Sequence, residues 1–220
     1  MKIPRQATEY ILFQRTGYIK CRRLEKLIGL NKLVRLQTPF IHTRVQTLYN
    51  YDMKKEFDSM TEYLPTNIKT ILDIGCGVAG IDVLLHTVSG AEIYLIDKSQ
   101  VDKKVFYFFE KRGSFYNSLS VAKELLNQNG VKNVFLQEAT ENNEIKFKKK
   151  FDLIISLLSW GFHYPIETYL ESVYEHMNFG ASLIVDVRKE TGGLELLTKK
   201  FKMVNIIYNG RKHVRIIAIK

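Results

Sequence analysis

The chain has 220 residues, 45% of them hydrophobic and 25% charged, which is ordinary for one globular domain with a sizeable core. The sequence shows no leader-type apolar segment at its start and no apolar run near the length of a spanning helix, so we expect a cytoplasmic protein. The two cysteines, Cys21 and Cys76, are assigned no redox role.

The formal net charge of +10 is concentrated near the N-terminus. Residues 1–50 contain ten Lys or Arg and two Glu, whereas the remaining residues contain 23 basic and 21 acidic side chains. We expect this region to attract an anionic partner, such as RNA, a nucleotide-linked sugar, a lipid phosphate or a membrane surface. The alternative is a solvated helical surface with no partner.

Residues 1–65 are predicted to form a basic helical appendage, or lid, on a domain formed by residues 66–220. Apolar side chains at helical spacing predict short helices within residues 1–40. A longer helix is predicted over residues 43–64, and Pro65 ends it.

A glycine-rich turn follows the first predicted strand. Residues 71–80 read ILDIGCGVAG, a buried strand that leads into glycines at positions 75, 77 and 80. This spacing permits a sharp turn and brings the N–H groups of a helix N-terminus close to a ligand. The next strand, residues 91–96, is followed by Asp97, about twenty residues after the first glycine, where a carboxylate accepts both hydroxyls of a ribose.

Two classes of cofactor suit this pattern, and Asp73 favours one of them. A dinucleotide carries a pyrophosphate, whose negative charge a carboxylate at the strand end would repel. S-adenosylmethionine carries a sulfonium and an ammonium group, which a carboxylate attracts. A nicotinamide-dependent enzyme is therefore the alternative to an enzyme that uses S-adenosylmethionine.

The rest of the chain alternates predicted strands and helices and closes with two strands joined by an Asn-Gly turn, a hairpin signal. The predicted elements after the second strand are a helix (117–129), a strand (133–136), a strand (152–156), a helix (166–177), a strand (181–187), a helix (193–201) and two strands (203–208 and 214–219). Residues 98–116 are surplus to a crossover helix and contain five consecutive apolar or aromatic residues between basic ones. We interpret them as an insertion that forms a lid or contacts substrate, or as a packing element.

The string LDIGCG at residues 72–77 closely resembles the first motif of the class I S-adenosylmethionine-dependent methyltransferases. The resemblance extends over residues 68–220. It implies an α/β fold with a Rossmann-like seven-stranded methyltransferase sheet, a C-terminal antiparallel hairpin and the N-terminal helical appendage. Ala79 departs from the family, because a third glycine often occupies that place and here follows one residue later.

The resemblance also implies which residues bind S-adenosylmethionine. Asp73 is expected to hold the ammonium group, Asp97 the ribose hydroxyls, and Glu138 the adenine amino group, with Glu141 and Glu144 as alternatives to Glu138. The full set of expected cofactor contacts is Asp73, Gly75, Cys76, Gly77, Asp97, Lys98, Glu138, Ala139, Ser156 and Arg44, the last as a partner of the methionine carboxylate.

The acceptor is expected to bind the segment after the fourth strand, SLLSWGFHYP at residues 156–165. This segment lacks the Asn/Asp-Pro-Pro-Tyr/Phe string that orients an amino nitrogen in N-methylating relatives. It contains His163, a candidate base for a hydroxyl acceptor, and candidate substrate contacts in Trp160, Phe162 and Tyr164. The alternative is that the aromatic residues pack in the core and His163 caps a helix.

Two further substrate contacts are expected on the helix that covers the cofactor in this family, namely His42 and Tyr51. No metal site is predicted, because the five histidines show no paired helical spacing and the acids do not cluster.

These patterns predict an O-methyltransferase for a small or sugar-like acceptor, including a surface glycan or a phosphate-bearing precursor. One alternative is an RNA methyltransferase that uses its basic N-terminal region to bind phosphates. Another is a protein that binds the cofactor without catalysis.

Overall fold

The structure of the protein is a computed structural model that describes residues 1–99 and 117–220. Its helices are α1 (Ala7–Gln14), α2 (Glu25–Ile28), α3 (Leu30–Asp58), α4 (Gly80–Ser89), α5 (Leu119–Gln128), α6 (Glu167–His176) and α7 (Gly193–Lys200). Its strands are β1 (Thr70–Ile74), β2 (Glu92–Asp97), β3 (Val134–Glu138), β4 (Phe151–Ser156), β5 (Ser159–Tyr164), β6 (Met177–Arg188), β7 (Met203–Asn209) and β8 (His213–Ile219). Among the described residues, no helix is long and apolar enough to cross a membrane.

Seven of these strands form one sheet in the order β3-β2-β1-β4-β6-β8-β7. The neighbours from β3 to β6 are parallel, whereas β8 is antiparallel to both β6 and β7. The predicted seven-stranded sheet and its C-terminal antiparallel hairpin are therefore confirmed. Strand β5 is outside this order and follows β4 after a short turn.

Both faces of the sheet are covered, because successive residues of its central strands enter different cores. In β1, Ile71 packs in a core that includes residues of α1, α3, α4 and α5. The next residue, Leu72, packs on the opposite face with residues of α6 and α7. The N-terminal helices thus share an apolar core with the sheet, while the predicted domain boundary at residue 65 stays a prediction.

Helix α3 differs most from the sequence prediction. It spans Leu30–Asp58 with Pro39 inside it, whereas the sequence predicted separate short helices followed by a helix over 43–64. Proline removes one backbone donor, but α3 buries a long apolar stripe that offsets this loss: Leu33, Val34, Ile41, Val45, Tyr49, Met53 and Phe57. Helix α3 ends before residue 64, the predicted end. There the Ser59 and Thr61 hydroxyls donate to the carbonyls of Glu56 and Phe57, which the helix would otherwise use.

Candidate functional site

A cavity of about 640 Å³ lies at the carboxyl ends of β1, β2 and β4, the edge at which open parallel sheets bind ligands. Nine residues predicted from the sequence line it: Asp73, Gly75, Cys76, Gly77, Asp97, Ala139, Phe162, His163 and Tyr164. The N-terminal part of the chain completes the wall through residues of α1, of α3 and of the segment between α1 and α2. The structure therefore brings the predicted cofactor loop and the predicted acceptor segment to one cavity.

The glycines of the turn are required by close contacts as well as by backbone conformation. Gly75 has a φ of +77°, and a Cβ there would overlap the Ser159 hydroxyl. A Cβ at Gly77, which has a φ of +55°, would come within 2.9 Å of Oε1 of Gln14. The turn is thus packed between β5 and the end of α1, so its backbone is held in place before any ligand binds.

Ala79 takes the left-handed conformation that the displaced glycine would be expected to adopt. Its φ is +60°, and it immediately precedes α4 in a fully buried position. A non-glycine residue in this conformation costs about 1 kcal/mol. The departure from the family motif therefore leaves the turn in place at an energetic cost.

Two buried carboxyls, from Asp73 and Asp82, are in contact behind this turn. Asp73 is 3% exposed, Asp82 in the first turn of α4 is fully buried, and neither is bonded to a cationic side chain of the described residues. Burial raises the pKa of Asp73 well above its usual range, and the carboxyls of Asp82 and Asp97 raise it further. Burial also raises the pKa of Asp82 to about 7. Because two carboxyls can bond to each other only when one is protonated, the pair retains a proton that a bound cation could replace.

The carboxylate of Asp97 connects the glycine turn to the chain beyond β2. Its Oδ2 accepts hydrogen bonds from the Gly77 backbone N–H at 2.8 Å and the Asn117 side chain at 2.9 Å. Its Oδ1 accepts one from the Lys98 backbone N–H at 2.7 Å, which leaves this oxygen a further lone pair. Burial raises the pKa of Asp97 to about 6, and these three donors oppose that effect.

Asn117 is a cavity residue that the sequence analysis missed. It is 4% exposed, its amide donates to the Gly77 carbonyl at 2.6 Å as well as to Asp97, and its Oδ1 has no hydrogen-bond partner within residues 1–99 and 117–220. The sequence indicated only a helix start at this position. The buried free oxygen is suited to a ligand that donates a hydrogen bond.

The structure places one of the predicted adenine contacts in the cavity lining and the others outside it. Ala139 lines the cavity, and its N–H donates to the Asp97 carbonyl at 2.8 Å. Glu138 is exposed at the end of β3, accepts from the Ser99 N–H at 2.9 Å and is outside the cavity lining. Lys98 is also outside the lining, and its backbone N–H donates to the Asp97 carboxylate.

Ser156 and Trp160 are placed in the core and do not line the cavity. Both are fully buried. The Ser156 hydroxyl donates to the Ile74 carbonyl at 2.7 Å and accepts from the Trp160 N–H at 3.0 Å. The Trp160 indole N–H donates to the Ile166 carbonyl at 2.8 Å, so this side chain has a complete structural role as the packing alternative describes.

The other members of the predicted acceptor segment, Phe162, His163 and Tyr164, do line the cavity. The Phe162 and His163 rings meet edge to face with centroids 4.9 Å apart. Burial raises the pKa of the Tyr164 phenol far above its ordinary value near 10, so this hydroxyl stays protonated at neutral pH.

Two cations on the same side of the cavity, Arg188 and Lys212, were not predicted from the sequence. Arg188 ends β6, and Lys212 immediately precedes β8. The guanidinium carbon of Arg188 is 4.5 Å from the Phe162 ring centroid, and its Nε donates to the Phe162 carbonyl at 2.8 Å. No sequence motif marks either residue, because only the strand order brings them to the acceptor segment.

A buried ionic network supports the turn between β4 and β5. Leu158 has a φ of +52°, and its N–H donates to Oδ2 of Asp186 at 3.1 Å. Arg215 grips Asp186 through Nε and Nη2 at 2.7 and 2.8 Å, and Nη2 also donates to Glu56 of α3 at 2.6 Å. This network holds a strained cavity residue in place and ties α3 to the sheet.

Three residues predicted on the covering helix do not reach the cavity. The Arg44 guanidinium donates to the Tyr18 carbonyl, the His42 imidazole bonds the Thr8 hydroxyl at 2.7 Å, and the Tyr51 side chain is 68% exposed. The reason is that the face of α3 directed at the cavity carries other residues.

Helix α3 lines the cavity with Tyr49, Met53 and Glu56, which share one helical stripe. In place of Arg44, two cations of the N-terminal region line the cavity: Arg15, whose guanidinium is 3.4 Å from the Asp52 carboxylate, and Arg22. The predicted insertion over 98–116 lies outside the described residues from position 100 onward. Within the described ranges, no three His, Cys, Asp or Glu side chains are grouped as metal ligands would be.

No protein-family model matches this chain, and no curated protein matches it. Solved structures share its fold. A proposed O-methyltransferase from Nostoc punctiforme is similar with a TM-score of 0.60 and 12% identity, covering 97% of this chain and 72% of that one. A methyltransferase from Pyrococcus furiosus has a TM-score of 0.55 and 18% identity, covering 82% and 99% respectively. A SAM-dependent methyltransferase from Aquifex aeolicus has a TM-score of 0.55 and 18% identity, covering 77% and 97%. The chain has the class I methyltransferase fold.

Proposed function

We propose that this chain, which has the class I methyltransferase fold, transfers a methyl group from S-adenosylmethionine to an oxygen of a small or sugar-like acceptor. The observation that carries the proposal is the content of one cavity. The cavity joins the carboxyls of Asp73 and Asp97 to the ring of Phe162 and the imidazole of His163. A cofactor region and an acceptor region are thus side by side, as methyl transfer requires.

The residues of the first region fit S-adenosylmethionine. Oδ1 of Asp73 is buried, has no hydrogen-bond partner among the described residues and would accept from the ammonium group. Asp97 would accept from the ribose hydroxyls through its remaining lone pair. Arg15 replaces Arg44 as the residue that would face the methionine carboxylate, because Arg15 lines the cavity. When bound there, the cofactor supplies a methyl group activated by a sulfonium charge.

The acceptor region favours a hydroxyl group as the methyl acceptor. His163 is the histidine among the described residues that line the cavity, and an imidazole is the side chain best suited to accept a hydroxyl proton near neutral pH. Tyr164 is unsuited to that role because burial raises the pKa of its phenol. The Phe162 ring offers an apolar face for a sugar ring. Trp160 is not retained as an acceptor contact, because it is fully buried.

A methyl-transfer assay with the full chain tests this function. Tritiated S-adenosylmethionine and a panel of sugar and phenol hydroxyl acceptors would be used with the wild type, His163→Ala and His176→Ala. His176 is the control, because it bonds the Ser172 carbonyl in α6 and does not line the cavity. We expect His163→Ala to lose about a hundredfold or more in turnover while cofactor binding and the His176→Ala variant are unaffected.

The other outcomes separate the alternatives. Unchanged turnover in His163→Ala removes this residue from the mechanism. Methyl transfer to RNA but to no small hydroxyl acceptor supports the RNA alternative and a role for the basic residues 1–50. Cofactor binding with no transfer to any acceptor supports a protein that binds without catalysis.

A further inference from the structure

We propose that the acceptor carries an anionic group, a phosphate or a carboxylate, which binds to Arg188 and Lys212 on the acceptor side of the cavity. The inference rests on the proposed methyltransferase function and adds the charge of the acceptor and the residues that select it. It places the anion site at the C-terminal end of the fold, whereas the sequence directed attention to residues 1–50.

Arg188 is fixed on the wall assigned to the acceptor. Its Nε donates to the Phe162 carbonyl at 2.8 Å, and its guanidinium carbon is 4.5 Å from the centre of the Phe162 ring. Both contacts hold the planar group at the ring on which an acceptor would pack. A guanidinium held in one orientation is suited to two parallel hydrogen bonds with a carboxylate or phosphate.

Lys212 is brought beside Arg188 by the pairing of β6 with β8. Arg188 is opposite His213 in the register of these strands, and the Lys189 N–H donates to the Lys212 carbonyl at 3.1 Å. Lys212 lines the cavity and has no ion-pair partner within residues 1–99 and 117–220. The cavity is thus lined by a guanidinium from the end of β6 and an ammonium group from the turn before β8, two segments that are paired through their backbones.

Two acids of the described residues near this wall are bonded to another cation. Arg215 grips the Asp186 carboxylate with two hydrogen bonds and donates a further one to Glu56 at 2.6 Å. The carboxyls of Asp73 and Asp97 belong to the cofactor region, at the ends of β1 and β2. The two regions thus differ in charge, which favours an anion at the acceptor side.

His213 does not add a second positive charge to this wall at neutral pH. Burial lowers its pKa from the ordinary value of 6.5, and the positive charge of Arg215 lowers it as well, although Asp186 opposes both. Arg188 and Lys212 are therefore the cations that we expect the anion to meet.

The test uses the full chain saturated with S-adenosylhomocysteine and calorimetric titration with three probes: glucose 6-phosphate, glucuronate and glucose. We expect at least one anionic probe to bind about tenfold or more tightly than glucose, as expected for a charge-assisted hydrogen bond. If only one of the two binds tightly, it identifies the anion as phosphate or carboxylate, and either result supports the site.

Matched variants decide whether the two cations are responsible. Lys212→Gln and Arg188→Gln should each weaken binding of the anionic probe about tenfold. Arg211→Gln removes the same charge from the same turn but does not line the cavity, so it should leave binding unchanged. Lys212 is exposed, and its substitution is not expected to impair folding.

Equal affinity for glucose and both anionic sugars, or no binding of any probe, would overturn the anion site. Equal weakening by Arg211→Gln would also overturn it, since it would indicate general charge attraction. Failure to saturate the chain with S-adenosylhomocysteine would instead contradict the proposed methyltransferase function, so the two failures are distinguishable.

Discussion

The carboxyl groups of Asp73 and Asp82 meet inside the protein, and no cationic side chain of the described residues bonds to either one. Burial raises the pKa of Asp73 well above its usual range and that of Asp82 to about 7. The described groups that face the pair are the Asp97 carboxyl, the Cys76 thiol and the phenols of Tyr49 and Tyr164. These neighbours bring no positive charge, so the pair holds a proton below its raised pKa values, and a bound cation could replace that proton.

This pair makes the stability of the cofactor-free protein depend on pH. In the unfolded chain both carboxyls have ordinary pKa values near 4, so the folded state binds more protons between about pH 4 and 7. A carboxyl whose pKa is higher in the folded protein than in the unfolded chain stabilises the fold fully below its unfolded-state pKa. This contribution is lost as the pH rises through its folded-state pKa. Asp82→Asn should therefore gain stability relative to the wild type as the pH rises.

Urea unfolding of the two proteins at pH 5 and pH 8 measures this effect. One extra proton bound by the folded state changes the free energy of unfolding by about 1.4 kcal/mol for each pH unit over which it stays bound. Asp58→Asn is the control, because Asp58 is an exposed partner of Lys54 at the end of α3. A difference between Asp82→Asn and the wild type that does not vary with pH would contradict the shared proton.

The same pair should couple cofactor affinity to pH. An ammonium group that bonds Asp73 replaces the shared proton, so the wild type should bind S-adenosylhomocysteine more tightly at pH 8 than at pH 6. Asp73→Asn should weaken binding about tenfold to a hundredfold by removing a charged acceptor. Titration calorimetry in buffers of different ionisation enthalpy would report proton release. Affinity that is independent of pH in the wild type would count against the pairing.

Arg215 should be essential for stability, because its guanidinium bonds the fully buried Asp186 carboxylate and the Glu56 carboxylate. Arg215→Met leaves Asp186 buried without its cation and should destabilise the protein by about 3–5 kcal/mol. Arg211→Met, in the exposed turn, should change stability by less than about 0.5 kcal/mol. Denaturant unfolding compares the two, and equal stability of both variants would show that the network contributes nothing.

Substitutions of Trp160 and Phe162 should distinguish a residue that packs in the core from one that binds the acceptor. Trp160→Phe removes the bond to the Ile166 carbonyl and leaves a space in the core, at a cost of about 1–3 kcal/mol. Its KM for the acceptor should be unchanged. Phe162→Ala should raise that KM, because this ring lines the cavity. A raised KM in Trp160→Phe, with Phe162→Ala unchanged, would reverse the assignment.

The sequence predicted the parts of the site that local pattern determines. The turn at residues 75–77 and the acid at position 97 follow from glycine spacing and from strands that end at one edge of a sheet. The closing hairpin was also predictable, because the Asn-Gly turn is a local signal. Each of these features depends on residues that are close together in the chain.

Other parts of the site depend on contacts between distant segments. From the sequence, Asp82 is an ordinary acidic residue in the first turn of a helix. Its contact with the buried Asp73 carboxyl becomes evident in the folded structure. Lys212 meets Arg188 because β8 inserts next to β6 in the sheet. The sequence also did not indicate that Tyr49, Met53 and Glu56 of α3 line the cavity, because the packing of this helix on the sheet decides which of its side chains do so.

Titration calorimetry of S-adenosylmethionine into the full chain tests the central claim most directly. The account predicts one saturable site per chain, an affinity reduced about tenfold to a hundredfold in Asp97→Asn, and no change in the Asp58→Asn control. The absence of saturable binding to the wild type, or an unchanged affinity in Asp97→Asn, would contradict it.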